Sequence, residues 1–254
     1  MADNCDNTIV VVQSVGPVGM EAWVEHPNIT AIVWSNLGGQ ELGPALVDIL
    51  YGKVNPSGRL VYTIAKNVSD YAQGHIVKDP QPYPQINYTE GVSVDYRGFE
   101  KDKKNPRFWF GHGLSYSNFT YSNLTIQPQA SLSDMLKTPI RYVADSPGGD
   151  SVLYDVAVVV SFDIRNEGPY DGVEIPQLYL RLPNGAENPT KILRGFENVR
   201  IRDEETQKVY LYLTRKDISY WNTVKQTWET PNGDFGVFIG ASSNDSRLRG
   251  DFSI

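Results

Sequence analysis

Residues 90–119 read EGVSVDYRGFEKDKKNPRFWFGHGLSYSNF, and this stretch separates two halves of different periodicity. It opens with an apolar alternation, crosses a charged loop at 101–107, and closes in an aromatic run carrying Gly111-His112-Gly113. Upstream, strand and helix patterns alternate. Downstream, strand patterns follow one another almost without interruption. The implied fold class is a partial parallel α/β layer over 1–115, followed by an all-β immunoglobulin-like sandwich over 116–254 with a loop at about 127–150.

Working upstream, Thr8–Val12 is a continuous β-branched run and Ile29–Trp34 a second one. Such runs read as strands buried on both faces, as in parallel sheets. Gly16-Pro17 breaks the chain between them, ahead of a short helical candidate at 18–24. Over 40–50 the apolar residues Leu42, Leu46, Ile49 and Leu50 form a helical stripe, with Pro44 suited to its first turn and Gly52 to a left-handed stop. A third strand is expected at 60–64, then a loop at 67–87 punctuated by Pro80, Pro82 and Pro84. Central parallel strands need neighbours and covering helices. Two and a half βα units do not supply them, so the chain is expected to start in the middle of a domain, with its strand edges open.

Downstream, Val156, Val158, Val160, Phe162 and Ile164 fall on one face of a strand, with Asp155, Ser161, Asp163 and Arg165 on the other. Leu178, Leu180 and Leu182 repeat the period, as do Val209, Leu211 and Leu213, and Phe235, Val237 and Ile239. Turn signals lie between them at 166–168, 183–185 and 231–233. With 121–126 as a first strand, about seven short strands predict an antiparallel sandwich that folds by itself. Trp221 and Trp228 read as core and rim packing.

Composition narrows the functional classes. Across 254 residues, 40% are hydrophobic and 21% charged, a globular balance, and the net charge is −7 with a pI near 5.0. That charge argues against nucleic-acid or anionic-membrane partners. No apolar run reaches the roughly 18 residues of a membrane span, and the start MADNCDNTIVVV has no signal-peptide pattern. The single cysteine, Cys5, excludes an internal disulfide and reads as a small buried or unpaired thiol. His26, His75 and His112 share no metal-ligand spacing, so neither metal nor cofactor is expected. Six of 17 asparagines stand in Asn-X-Ser/Thr: Asn28, Asn67, Asn87, Asn118, Asn123 and Asn244. Chance would supply about two or three, so the excess favours a secreted, extracellular glycoprotein.

Catalytic groups are not visible. Gly38-Gly39 opens GGQELG, which matches neither dinucleotide nor P-loop spacing and reads as a tight turn with close helix packing. Gly111-His112-Gly113-Leu114-Ser115 is no nucleophile elbow, and His112 reads as a packed residue. Among carboxylates, Glu41 and Asp48 lie about 10 Å apart along a helix. Glu90 and Asp95, five apart in an extended segment, are expected on opposite faces.

Taken together, Glu90-Gly91-Val92, Asp95-Tyr96-Arg97-Gly98-Phe99 and Phe110-Gly111-His112-Gly113-Leu114-Ser115-Tyr116 resemble fungal β-glucosidases of glycoside hydrolase family 3. CDNTIVVVQSVGPV, NITAIVWSNLGGQELG, LVDILYGKVNPSGRL, NEGPYDGVEIPQLYL and DISYWNTVKQTW agree in order, so the resemblance covers nearly all of 5–254. It implies the end of an α/β sandwich domain followed by a fibronectin type III-like domain. Tyr96, Phe99, Phe110 and Tyr116 are then expected to lock the two together. It also implies retaining hydrolysis of terminal non-reducing β-D-glucosyl residues from cello-oligosaccharides or aryl glucosides. The family's nucleophilic aspartate sits in Ser-Asp-Trp. Here Ser69-Asp70 precedes Tyr71 and Ser133-Asp134 precedes Met135. The acid/base segment would precede Met1. No catalytic residue is therefore carried over, and the chain alone is expected to be inactive. A stand-alone carbohydrate-binding or scaffold module is the alternative.

Overall fold

The computed structural model describes residues 1–71, 82–83, 85, 87–138, 140, 149–183 and 190–254. His75, much of the loop expected at 67–87, part of that at 127–150 and residues 184–185 of the turn at 183–185 lie outside the described residues. Contacts divide the chain into two compact units, Met1–Val54 with Leu60–His112, and Asn55–Arg59 with Gly113–Ile254. The division falls at 112/113, against 115/116 from the sequence, and residues 55–59 count with the second unit.

In the first unit β1 (Thr8–Val12) and β2 (Ile29–Trp34) pair in parallel, Val10 opposite Ile32 and Val12 opposite Trp34. Helix α1 (Leu42–Leu50) follows where the apolar stripe places it, and Gly52 (φ +73°) makes the left-handed stop. Gly38 is a packing residue, since a Cβ there would lie 2.3 Å from Leu42 Cδ1.

Three expectations for this unit fail. Residues 18–24 form only a turn, with Trp23 and Val24 N–H both donating to the Met20 carbonyl. So short a segment, preceded by Pro17 and containing Gly19, does not recover the cost of helix nucleation. Residues 60–64 form no strand beside β1 and β2. Ile64 bridges antiparallel to Phe108, and Leu60 N–H donates to His112 O at 2.9 Å, so the run pairs with the aromatic stretch instead. Finally, no residue of β1 or β2 is buried, because two strands and one packed helix cover too little of their surface.

Helix α2 (Tyr96–Lys101) organises the unit's aromatic cluster. Tyr96 stacks on Phe110 at 5.0 Å, and Phe99 meets Tyr71 and Trp109 edge-on at 5.7 and 6.5 Å. These aromatics pack with one another inside the first unit. Tyr116, in the second, is 44% exposed. His112 stacks on Phe108 at 5.2 Å.

The second unit contains β3 (Phe119–Pro128), α3 (Leu132–Lys137), β4 (Val156–Asn166), β5 (Gly172–Glu174), β6 (Gln177–Arg181), β7 (Ile192–Phe196) and β8 (Val199–Ile201). It continues with β9 (Thr206–Thr214), β10 (Tyr220–Asn222), β11 (Thr227–Glu229), β12 (Asp234–Gly240) and β13 (Ser246–Ser253). A three-stranded sheet β3-β4-β9 faces a four-stranded sheet β13-β12-β6-β7, and the alternating apolar residues of both form one core cluster. Seven strands make the two sheets, as the sequence period predicts; β5-β8 and β10-β11 are separate pairs.

Val156 departs from the expected inward row. The register shifts between Val156 and Val158, and this bulge leaves Val156 exposed while Val158, Val160, Phe162 and Ile164 are fully buried. The loop expected at 127–150 contains α3, whose Leu132, Met135 and Leu136 pack on the core. Trp221 and Trp228 face each other across the β10-β11 hairpin at 5.8 Å, Trp221 41% exposed, so this pair lies outside the core. No helix among the described residues is long and apolar enough to cross a membrane.

Candidate functional site

Two of the four carboxylates singled out in the sequence, Glu90 and Asp95, meet in the first unit. Residues 90–95 are not extended: Ser93 N–H donates to Glu90 O at 3.0 Å and Gly91 has φ +57°. This turn overrides the alternation that would set Glu90 and Asp95 on opposite faces. Both line one cavity of about 400 Å³, together with Asp70, Asp102, Tyr62 and Lys101. Glu41 lies elsewhere, at the N-terminus of α1, and Asp48 pairs with Lys53 at 3.1 Å.

Asp95 is the organising residue of this cavity. Its backbone has φ +53°, ψ −136°, a conformation costly for a residue with a Cβ. Its carboxylate offsets that strain by accepting from Thr63 N–H at 3.0–3.1 Å, from the Thr63 hydroxyl and from Tyr96 N–H at the start of α2. Both oxygens are therefore committed to holding backbone. Glu90 Oε2 is shielded from water and has no hydrogen-bond partner among the described residues. A retaining glycosidase needs two available carboxylates about 5–5.5 Å apart, and Asp95 does not supply one.

Replacing Asp95 by Ala is expected to destabilise the first unit by about 2–3 kcal/mol, since the buried Thr63 N–H loses its acceptor. Urea titration followed by circular dichroism should show an earlier first transition and an unchanged second one. Asp95→Asn should fall between the two proteins, because one acceptor oxygen remains.

The second unit holds a charged network with no trace in the local sequence. Arg59 Nη2 pairs with Glu174 Oε2 at 2.6 Å, their side chains 9% and 2% exposed. Tyr121 donates its hydroxyl to Glu174 Oε1 at 2.8 Å. Burial, then the neighbouring Glu174 charge, raises the Tyr121 pKa well above its ordinary value. The Arg247 guanidinium stacks 4.9 Å from the Tyr121 ring and donates to Phe119 O at 2.8 Å. Asn55 extends the anchorage, accepting from Ser115 Oγ and Tyr116 N–H at 2.8 Å and donating to Asp171 O at 3.1 Å. Sequence reasoning missed this because Arg59 and Glu174 stand 115 residues apart in unrelated motifs.

The remaining sequence candidates scatter. Cys5 is exposed, its Sγ 3.3 Å from Asn7 O. His26 pairs with Asp3. Asn67, Asn87, Asn118, Asn123 and Asn244 are exposed, whereas Asn28 is half-buried. The Asn28 amide donates to Ala2 O at 2.8 Å and that of Asn123 to Asp163 at 2.7 Å.

Comparison with known proteins agrees with both units. Residues 1–116 match the glycosyl hydrolase family 3 C-terminal domain, and residues 174–243 the fibronectin type III-like domain. Over all 254 residues the chain is 48% identical to a protein of Aspergillus niger named probable beta-glucosidase D, covering 32% of that protein. It is 44% identical to probable beta-glucosidase M of the same species, covering 33% of it. Among solved structures, the beta-D-glucoside glucohydrolase of Trichoderma reesei superposes with a TM-score of 0.90 at 40% identity, over 99% of this chain and 34% of that one. Beta-glucosidase D2-BGL of Chaetomella raphigera gives 0.89 at 42% identity, over 99% and 34%. The chain thus spans about a third of the length of the curated relatives it matches. The chain therefore carries a glycosyl hydrolase family 3 C-terminal domain followed by a fibronectin type III-like domain, and along its whole length it resembles fungal proteins named beta-glucosidases.

Proposed function

We propose that this chain serves a secreted β-glucosidase that removes terminal non-reducing β-D-glucosyl residues from cello-oligosaccharides or aryl glucosides with retention, and that these 254 residues are its non-catalytic part. The observation that carries the reading is the end-to-end match to a third of such proteins. Asp95, one of the carboxylates lining the cavity, is meanwhile tied to Thr63 and Tyr96. Neither nucleic acid nor a membrane is a partner in this reading, and the substrate meets residues beyond those present here.

Purified 1–254 is expected to show no turnover of an aryl β-glucoside. Turnover abolished by Glu90→Gln or Asp95→Asn would sink the non-catalytic assignment. Secretion predicts glycan as well. Asn67, Asn87, Asn118 and Asn244 are exposed and can carry it freely, whereas at Asn28 and Asn123 a glycan would disrupt the bonds to Ala2 and Asp163. Peptide mapping of the protein secreted from a fungal host is expected to find the first four occupied and Asn28 unmodified. Occupancy of Asn28 alone would overturn this placement.

A further inference from the structure

We propose that a recess on the second unit, walled by Arg215, is a binding site for a neutral polyhydroxylated ring, that is, for a sugar unit. The recess, about 370 Å³, is bounded by α3, by residues 152–156 leading into β4, and by Arg215 just after β9. That volume lies at the lower end of the roughly 300–1,000 Å³ of small-molecule sites.

Arg215 is the unusual element. It is 5% exposed, yet Nε and Nη1 have no hydrogen-bond partner among the described residues. Among the described residues its polar anchors are on the backbone, where Arg215 N–H donates to Asp155 O at 3.0 Å and Arg215 O accepts from the Ser219 hydroxyl at 2.7 Å. Burial lowers its pKa from the ordinary value, against the opposing charges of Asp150 and Asp155. A buried guanidinium with unpaired donors carries a desolvation cost, which an incoming acceptor would relieve.

The other walls decide which acceptor. Asp155 lines the same recess, as does Asp134, which pairs with Lys137 at 3.1 Å, so a simple anion drawn to Arg215 meets two carboxylates. A cation drawn to those carboxylates meets the guanidinium. A ring bearing vicinal hydroxyls satisfies both sets, since each hydroxyl accepts from Arg215 while donating to an aspartate or to the Ser131 hydroxyl. Its C–H face matches Met135 and Val152 on the apolar part of the wall. Because Nε and Nη1 are shielded from water, the ligand reaches them with a shift of the side chains around them. The site rests on this geometry alone and is independent of whether the chain serves an active glucosidase.

The test is an NMR titration of intact 1–254 with cellobiose, and separately with sodium sulfate, reading the Arg215 Nε–H resonance and the methyl signals of Met135 and Val152. Cellobiose is expected to shift all three saturably, and sulfate to leave them in place. Arg215→Met should weaken binding about tenfold or more, the worth of a hydrogen bond to a charged group. Asp155→Asn, which keeps the buried arginine, should weaken it as well, so the result stands even if Arg215→Met fails to fold. Absence of a saturable shift with cellobiose overturns the proposal. So does a response to sulfate alone, or wild-type affinity in the folded variants.

Discussion

Amide hydrogens of β4, β6, β9 and β12 are expected to exchange at least about a hundredfold more slowly than those of β1 and β2. Among the described residues the second unit buries 22 apolar side chains and the first only five: Met20, Ile64, Ala65, Tyr96 and Phe99. The first unit's apolar surface faces water instead at Ile9, Val15, Leu37, Val47, Tyr51 and Val61. At about 25 cal/mol per Å² of apolar surface removed from water, so small a core leaves little to hold the unit against chain entropy. Its two-stranded parallel sheet also presents unpaired edges, which favour association with other chains. Exchange measured on 1–254 by mass spectrometry after proteolysis checks this, and equal protection of peptides from both units would refute it. Supplying the remaining two thirds of a homologous β-glucosidase should raise protection in β1 and β2 selectively, since those strands would then gain neighbours.

The second large effect is expected at Arg59. Replacing it by Met leaves the Glu174 carboxylate, 2% exposed, with the Tyr121 hydroxyl at 2.8 Å as its one remaining hydrogen-bond donor among the described residues. Breaking a buried pair from one side costs about 3–5 kcal/mol, or roughly 10 °C in the melting temperature of a unit this size. The upper calorimetric transition is therefore expected to fall by that amount. Arg59→Met combined with Glu174→Leu should recover part of the loss, because the uncompensated charge is then gone. An unchanged upper transition in Arg59→Met would show that the pair contributes nothing. The same reasoning applies to truncation. A protein beginning at residue 116 lacks Arg59 and Asn55, so it should melt lower than one that retains 55–59 in covalent continuity.

Much of the sandwich could be read directly from the order of residues. Phe162 and Ile164 on β4, Leu178 and Leu180 on β6, and Val237 and Ile239 on β12 lie inward where a period of two places them. That period is a local property of the strand, so it survives without knowledge of the partner. The helix at 42–50 and its Gly52 stop were legible for the same reason, through a stripe, an early proline and a left-handed glycine. Short apolar runs were not. Residues 18–24 and 60–64 carry too few residues to prefer one structure, and hydrogen bonds to Met20 and to the 108–112 stretch decided them.

The polar groups behave differently again. Turn formation at 90–93 turned Glu90 toward the cavity of Asp95, which alternation alone does not allow. A bulge moved Val156 outward, and a helix took shape inside an expected loop. The bulge and the helix depend on contacts with residues remote in sequence, which composition does not encode, whereas the turn is a local bond that the alternating pattern concealed.

The sequence by itself determined the two fold classes, the family and the absence of a Ser-Asp-Trp motif within these residues. All of these are carried by local period or by short runs of neighbouring residues. Only the tertiary structure decided that Asn55–Arg59 counts with the sandwich unit, that Glu174 is the buried partner of Arg59, and that Nε and Nη1 of Arg215 are buried with no hydrogen-bond partner among the described residues. Ion pairing and burial join residues by distance in space, and chain order holds no record of that distance until the chain folds.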